Sequence, residues 1–291
     1  MNDKLKNFFT RTVSGIVLFA VVLGAIMWSK WSFGVLLLAI IIGGEREFYR
    51  LATKAGYAPQ KVLGYLAGAT IFVIAFACML FLISDKAATE GLLSMTVILI
   101  LYIMLLLPML FVCELFRKSS TPIANIGTTL MGIVYVALPM SLMLFIPILI
   151  GKGEWNPLAA LFYIFIIWAN DVFAYLFGIT LGKHRLFERI SPKKSWEGFV
   201  GGLLGAMAMG YVAAVFTDGN PIEWIGMALI AAVTGVLGDL VESLFKRSVD
   251  VKDSGSILPG HGGWLDRFDA LLLSVPFVFL YLILGAAVQL F

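Results

Sequence analysis

The sequence predicts an all-α polytopic membrane protein. Three observations carry that expectation. Mean hydropathy is +0.97 and only 13% of the residues are charged, against about a quarter in an ordinary soluble domain. Several apolar runs reach the roughly 20 residues that a helix needs to cross a bilayer. The charges fall between those runs, and their density alternates from one gap to the next. This composition leaves no basis for a nucleic-acid partner.

Nine apolar segments follow in order, at about 11–28, 31–49, 62–83, 91–115, 127–150, 157–181, 198–216, 222–245 and 269–290. The first has a basic start, like a signal peptide. It lacks a small-residue cleavage site and a second run follows at once, so it reads as a retained helix. The second is the weakest, because Gly43-Gly44-Glu45-Arg46-Glu47 interrupts it. Its end is expected to be amphipathic and to lie in the headgroup layer. In the seventh, Gly198, Gly201, Gly202, Gly205 and Gly210 suit close helix packing. Cys78 and Cys113 lie inside apolar runs and read as small buried hydrophobes.

With the N-terminus inside, 18 of the 21 Lys and Arg fall in inner segments; only Lys30, Lys86 and Lys152 fall outside. The positive-inside rule then predicts nine spans, a cytoplasmic N-terminus and an external C-terminus. Polar residues are sparse within the spans up to about residue 125 and clustered after residue 157. The expected organisation is a transmembrane scaffold at 1–125 and a catalytic region at 126–291, with cytoplasmic loops at 182–197 and 246–268.

Three polar clusters stand out against the apolar background. On the sixth segment Asp171, Tyr175, Gly178 and Gly182 share one helical face. Asp171 is either the partner of a cation on a neighbouring helix or part of a polar cavity wall; Asn170 precedes it. The loop after it holds Ser191-Pro192-Lys193-Lys194-Ser195. Its cations set topology and attract anionic lipid. Pro192 also suits a helix start, and two lysines beside hydroxyls suit phosphate oxygens.

The third cluster is the densest. On the eighth segment Asp239, Glu242, Ser243 and Lys246 follow i, i+3, i+4, i+7 and form one polar stripe on an apolar helix. Lys246-Arg247, Lys252-Asp253, Gly255 and Pro259-Gly260-His261-Gly262-Gly263 follow, then Asp266-Arg267-Phe268-Asp269. The glycines permit a sharp turn and close approach to a ligand. His261 either donates to a phosphate or organises the loop. Asp266 and Asp269 face the same way, and capping of a helix start explains them equally well.

Carboxylates without Cys or several His are hard oxygen donors that suit Mg²⁺ or Mn²⁺. Interleaved cations suit a polyphosphate. Together they fit phosphoryl or nucleotidyl transfer at the cytoplasmic edge of the membrane. Other readings also fit. A transporter would use Asp171 and Asp239 as an ion relay, and a lipid or polyprenol kinase would use the same phosphate chemistry. A CDP-alcohol phosphotransferase is disfavoured, because its DxxDGxxAR…GxxxDxxxD pattern is absent.

The run from Ser243 through Lys246-Arg247, Lys252-Asp253, Gly255 and Pro259–Gly263 to Asp266-Arg267 and Asp269 resembles the hallmark of the phosphatidate cytidylyltransferases, or CDP-diacylglycerol synthases. Asn170-Asp171, Ser191–Lys194 with Glu197-Gly198, and Gly238-Asp239 with Glu242 resemble other shared segments of that family. The resemblance covers about 157–291. It implies transfer of CMP from CTP to phosphatidate in a bacterial inner membrane, with release of pyrophosphate and a requirement for Mg²⁺.

The same resemblance implies Asp239 and Asp266 as metal ligands and is compatible with a homodimer; the residues leave a second, monovalent cation open. Lys193, Lys194, Lys246, Arg247 and Arg267 are then expected to hold phosphate oxygens. Asp171 and Glu242 are expected to form a polar wall. Ser191, Lys252, Asp253, Gly262 and Gly263 are expected to line the substrate, and His261 to act on a phosphate.

Overall fold

A computed structural model describes residues 3–84, 89–256 and 262–289, with side chains for 12–84, 93–256 and 262–287. The chain is helical throughout apart from its connections. Helices α1 (Asp3–Trp28), α2 (Lys30–Lys54), α3 (Lys61–Ser84) and α4 (Thr89–Leu115) build the first part. Then come α5 (Pro122–Gly132), α6 (Leu138–Met143), α7 (Ile146–Ile150) and α8 (Pro157–Leu181). A two-stranded antiparallel hairpin, β1 (Arg185–Phe187) and β2 (Ser191–Ser195), leads into α9 (Trp196–Phe216), α10 (Pro221–Arg247) and α11 (Leu265–Gln289).

Local chemistry sets these boundaries. Ser29 and Ser32 form a reciprocal capping box at the start of α2. Asn156 and Asn220 each cap the second helical amide, with Pro157 and Pro221 at the first position. Ser195 caps α9 by accepting from Gly198 N at 3.2 Å.

Each apolar segment coincides with a helical run. Among the described residues, seven are long and apolar enough to cross a membrane: Lys61–Ser84, Leu93–Leu115, Pro122–Ile150, Pro157–Leu181, Trp196–Phe216, Pro221–Arg247 and Leu265–Ala287. The apolar part of α1, Thr12–Trp28, is shorter. α2 carries Glu45, Arg46 and Glu47 in mid-helix.

The end of α2 is two-faced: it buries Glu45, Glu47, Phe48, Tyr49 and Leu51 and exposes Arg46, Arg50 and Lys54. The structure corrects one local expectation. Pro192 does not start a helix. The segment around it pairs with Arg185–Phe187 as a strand, and α9 begins later at Trp196.

The segment expected at 127–150 is interrupted. Between α5 and α6 the backbone makes a π turn over Ile133–Ala137, in which Leu138 N bonds Ile133 O five residues back. Pro139 accounts for it. In a regular α-helix residue 139 would donate to the carbonyl of Tyr135, but proline has no N–H and its ring clashes there. The wider turn relieves that clash.

The second part packs as α8 on α9, α9 on α10 and α10 on α11. Small residues set these distances. An added Cβ at Gly202 or Gly205 would strike Asn170 or Phe173 of α8, and one at Gly238 would strike the Asp269 carbonyl of α11. This closeness brings the polar faces of α8, α10 and α11 together. α2 and the π turn contact α11 from the other side.

Candidate active site

The stripe on α10 is present and faces α11. Ser243 Oγ lies 3.3 Å from Asp239 Oδ1. Lys246 Nζ sits between two acids, 2.5 Å from Glu242 Oε2 and 2.7 Å from Asp266 Oδ1. From the hairpin, Lys194 Nζ reaches Asp239 Oδ2 at 2.5 Å. The lysine-bearing hairpin and the acidic stripe therefore form one site.

Glu242, Asp239 and Asp269 converge. Each offers a carboxylate oxygen within 4.8 Å of the others. Glu242 is only 1% exposed, and its Oε1 has no hydrogen-bond partner among the described residues. A buried carboxylate oxygen without a donor is costly, and a divalent cation is a natural partner for it. Three oxygen donors fit Mg²⁺ or Mn²⁺.

Asp266 is not brought into this set. Its Oδ1 takes Lys246, while Oδ2 accepts from Ser254 N at 2.9 Å, Ser254 Oγ at 2.9 Å and Gly263 N at 2.7 Å. It ties Ser254 and Gly263 of the 248–264 connection to the start of α11. Gly262, at φ 80°, packs where any side chain would strike Asp266. His261 lies outside the described residues, as do Pro259 and Gly260.

Glu47 of α2 completes this loop anchor, and sequence reasoning missed it. Its Oε2 accepts from Ser254 Oγ at 2.8 Å and from Leu265 N at 3.0 Å. Gly255 and Gly263 leave the space that its carboxylate fills. The Arg50 guanidinium donates to the Ser254 carbonyl. The only available signal was the run of charge in a segment otherwise apolar.

Two cavities meet at Asp171, which lines both. One, of about 500 Å³, is bounded by Arg185, Lys193, Lys194, Ser195, Tyr175, Gly178 and Asp239. The expected shared face of Asp171, Tyr175 and Gly178 lines it. The other, of about 330 Å³, lies among α1, α8 and α11; Leu18, Phe19, Ile164 and Trp168 form an apolar wall, and Asp266, Arg267 and Asp269 form its polar end.

The remaining expected residues lie nearby with weaker ties. Ser191 is half-buried in β2. Asn170 is buried against Gly202. Arg247 donates to the Val251 carbonyl, and Lys252 and Asp253 are exposed on the loop. Glu197, at the start of α9, accepts from the Lys183 and His184 amides and from the His184 ring at 2.6 Å. It pins the base of the hairpin.

Comparison with known proteins agrees with this chemistry. The chain is 50% identical over 125 residues to the phosphatidate cytidylyltransferase of Staphylococcus aureus (strain COL), across 42% of this chain and 48% of that one. The corresponding Staphylococcus saprophyticus protein is 48% identical over the same extent. The match thus spans about half the length of these staphylococcal relatives. The phosphatidate cytidylyltransferase of Synechocystis sp. is 28% identical over 301 residues, across 94% of this chain and 96% of that one. A profile described as the cytidylyltransferase family matches residues 9–284, and on that extent the chain belongs to the cytidylyltransferase family.

Proposed function

We propose that this protein is a CTP:phosphatidate cytidylyltransferase, giving CDP-diacylglycerol and pyrophosphate. One observation carries the reading: an acidic cluster lies between a cation-lined cavity and an apolar-walled one, and Asp171 borders both. A reaction that joins a polyphosphate to a lipid phosphate needs such a junction. The printed names of the relatives point to the same pair of substrates.

In this reading a phosphate oxygen of phosphatidate attacks the α-phosphorus of CTP. The bond from that phosphorus to the bridging oxygen of the β-phosphate breaks, and pyrophosphate leaves with the electron pair. The nucleophile is already anionic, so no strong base is required. Lys193, Lys194 and Arg185 hold the triphosphate in the larger cavity. Arg267 holds the lipid phosphate at the mouth of the smaller one, with the glycerol and acyl chains along α1 and α8.

Asp239, Glu242 and Asp269 are the residues best disposed to hold Mg²⁺, with Asp266 on the loop side. When bound, that ion offsets charge that develops on the transferring phosphate. Lys246 balances Glu242 and Asp266 and keeps both carboxylates in place. The surrounding architecture is read as nine spans in a bacterial inner membrane, with the N-terminus and the site on the cytoplasmic side, in a homodimer.

The test is purified full-length protein in phosphatidate-containing vesicles with CTP and Mg²⁺. CDP-diacylglycerol and equimolar pyrophosphate are expected, and chelation of divalent ions should abolish both. Release of a nucleoside diphosphate would instead indicate a kinase and refute the proposal. Cysteine labelling at 183–195 from one side of sealed vesicles tests the orientation.

A further inference from the structure

Lys194 carries two assignments that it cannot fill at once. Its Nζ lies 2.5 Å from Asp239 Oδ2, on a carboxylate of the acidic cluster. It also lines the larger cavity with Arg185, Lys193 and Ser195, where a triphosphate needs cations. Asp239 has the matching conflict. Its Oδ1 lies 3.3 Å from Ser243 Oγ, so both of its oxygens are engaged. A divalent cation binds a carboxylate oxygen at about 2 Å. With an ammonium on the same carboxylate, the two cations would stand only a few ångströms apart and repel each other.

The backbone around Lys194 is held, and only its side chain is not. Ser195 caps α9, and Glu197 takes the amides at the hairpin base. Ile190 packs with Leu186 on Val236 and Leu240 of α10, the helix that carries Asp239. The lysine stem is a flexible chain of four carbons. Lys246 is the contrast. Its side chain is 12% exposed and shared between Glu242 and Asp266, so it stays in place. The Lys194 side chain is 26% exposed, and Asp239 is its one carboxylate partner among the described residues.

We propose that Lys194 is an exchangeable counter-ion of the acidic cluster: its ammonium pairs with Asp239 until a divalent cation takes that carboxylate, and then turns into the larger cavity to hold a phosphate oxygen. The proposal rests on the reading of Asp239, Glu242 and Asp269 as a cation site, which the buried, unpartnered Glu242 Oε1 supports. The exchange gives the site an order. The phosphate-binding charge becomes available together with the cation, and a triphosphate without its metal meets a lysine already engaged.

The experiment titrates Mg²⁺ alone, without CTP, into full-length purified wild type, Lys194→Met, Lys194→Arg and Lys193→Met, and follows the melting temperature. Lys194→Met removes the competitor, so the Mg²⁺ needed for half-maximal stabilisation should fall about five- to tenfold, at the low end of typical couplings. Lys194→Arg keeps a cation on Asp239 and should stay close to wild type. Lys193→Met loses the same charge from an exposed position of the same hairpin and should move the midpoint by less than about twofold, because salt screens exposed charges. In wild type, Mg²⁺ should also speed acylation of Lys194 relative to Lys193 by a water-soluble amine reagent, read by peptide mass spectrometry. That arm needs no variant to fold.

If wild type responds to Mg²⁺ and Lys194→Met responds at the same or a higher concentration, the exchange is overturned and the cation reading stands. An equal fall in Lys193→Met would overturn it too, by assigning the effect to net charge, as would unchanged acylation of Lys194. A wild type with no response to Mg²⁺ refutes the cation reading, and the exchange falls with it.

Discussion

Two buried polar clusters in this molecule are built on opposite plans. The first joins α3, α4 and α5 at Glu114, whose side chain is 3% exposed. Asn125 Nδ2 donates to its Oε1 at 2.8 Å. Gln60 Nε2 at 2.7 Å and Arg117 at 2.8 Å donate to its Oε2. Asn125 Oδ1 in turn accepts from the Ala58 amide, and Arg117 donates to the Ala58 carbonyl. Both carboxylate oxygens of Glu114 are therefore taken, and Gln60 Oε1 is the one buried oxygen of this cluster without a partner among the described residues. The second, at Asp239, Glu242 and Asp269, keeps an open acceptor at Glu242 Oε1 among the described residues. A saturated carboxylate fixes loops; an unsaturated one costs stability and retains capacity for a ligand.

The sharpest way to break the contrast is Asp239→Asn. Turnover should fall about 10²- to 10³-fold, the scale seen when an electrostatic contact to a developing charge is lost. The melting temperature should hold, because one of three crowded acids is neutralised. A stability loss with activity retained would make the second cluster structural as well.

Glu47→Ala comes next. It releases Ser254 and the Leu265 amide, and so the loop that carries Asp266. kcat should drop about 10- to 100-fold, as for residues that orient the groups in direct contact. Glu47→Gln, which keeps an acceptor, should recover part of that loss. Steady-state kinetics with CTP varied checks both variants.

Glu114→Ala should show the reverse pattern. Gln60, Asn125 and Arg117 lose their acceptor, and unfolding free energy should fall by about 1–3 kcal/mol. Activity per folded molecule should be unchanged. Denaturation in mild detergent, together with turnover corrected for folded fraction, separates the two effects.

The smallest expected effect is at Glu45. It is 0% exposed and both oxygens lack hydrogen-bond partners among the described residues. It lies beside Gly68 and Ala137. Glu45→Met should raise stability by up to ~1 kcal/mol, since removing an unpaired buried polar group is nearly neutral or favourable. A large loss of turnover would place a second unsaturated site in this half.

Much of this was legible because hydrophobic periodicity is a local property. Every apolar segment is a helix, and the stripe Asp239, Glu242, Ser243, Lys246 faces its partner helix as its spacing requires. The lysines of the 183–197 loop do meet the stripe, through Lys194. What was hidden depends on contacts between residues far apart in the chain. Nothing near Glu47 in sequence indicates Ser254, 207 positions away. Asp266 and Asp269 share a face, so spacing does not show that Asp266 accepts from Lys246, Ser254 and Gly263 while Asp269 lies by Asp239 and Glu242. The division at residue 125 also looks less sharp once Phe48, Glu47 and Arg50 are seen against α10 and the loop.

The π turn has a consequence for length as well as identity. Each residue of an α-helix advances about 100° around the axis. Removing one residue from Ile133–Ala137 would restore the ordinary pitch and keep nearly all the side chains. That pitch again sets Pro139 against the carbonyl four residues before it, the clash that the π turn relieves, and rotates the side chains within the turn. Substitutions along this segment can be tolerated one at a time, whereas a change of register cannot. The packing of α2 and α11 against this turn therefore depends on counting as well as on chemistry, and a one-codon deletion within it should be more damaging than any single substitution there.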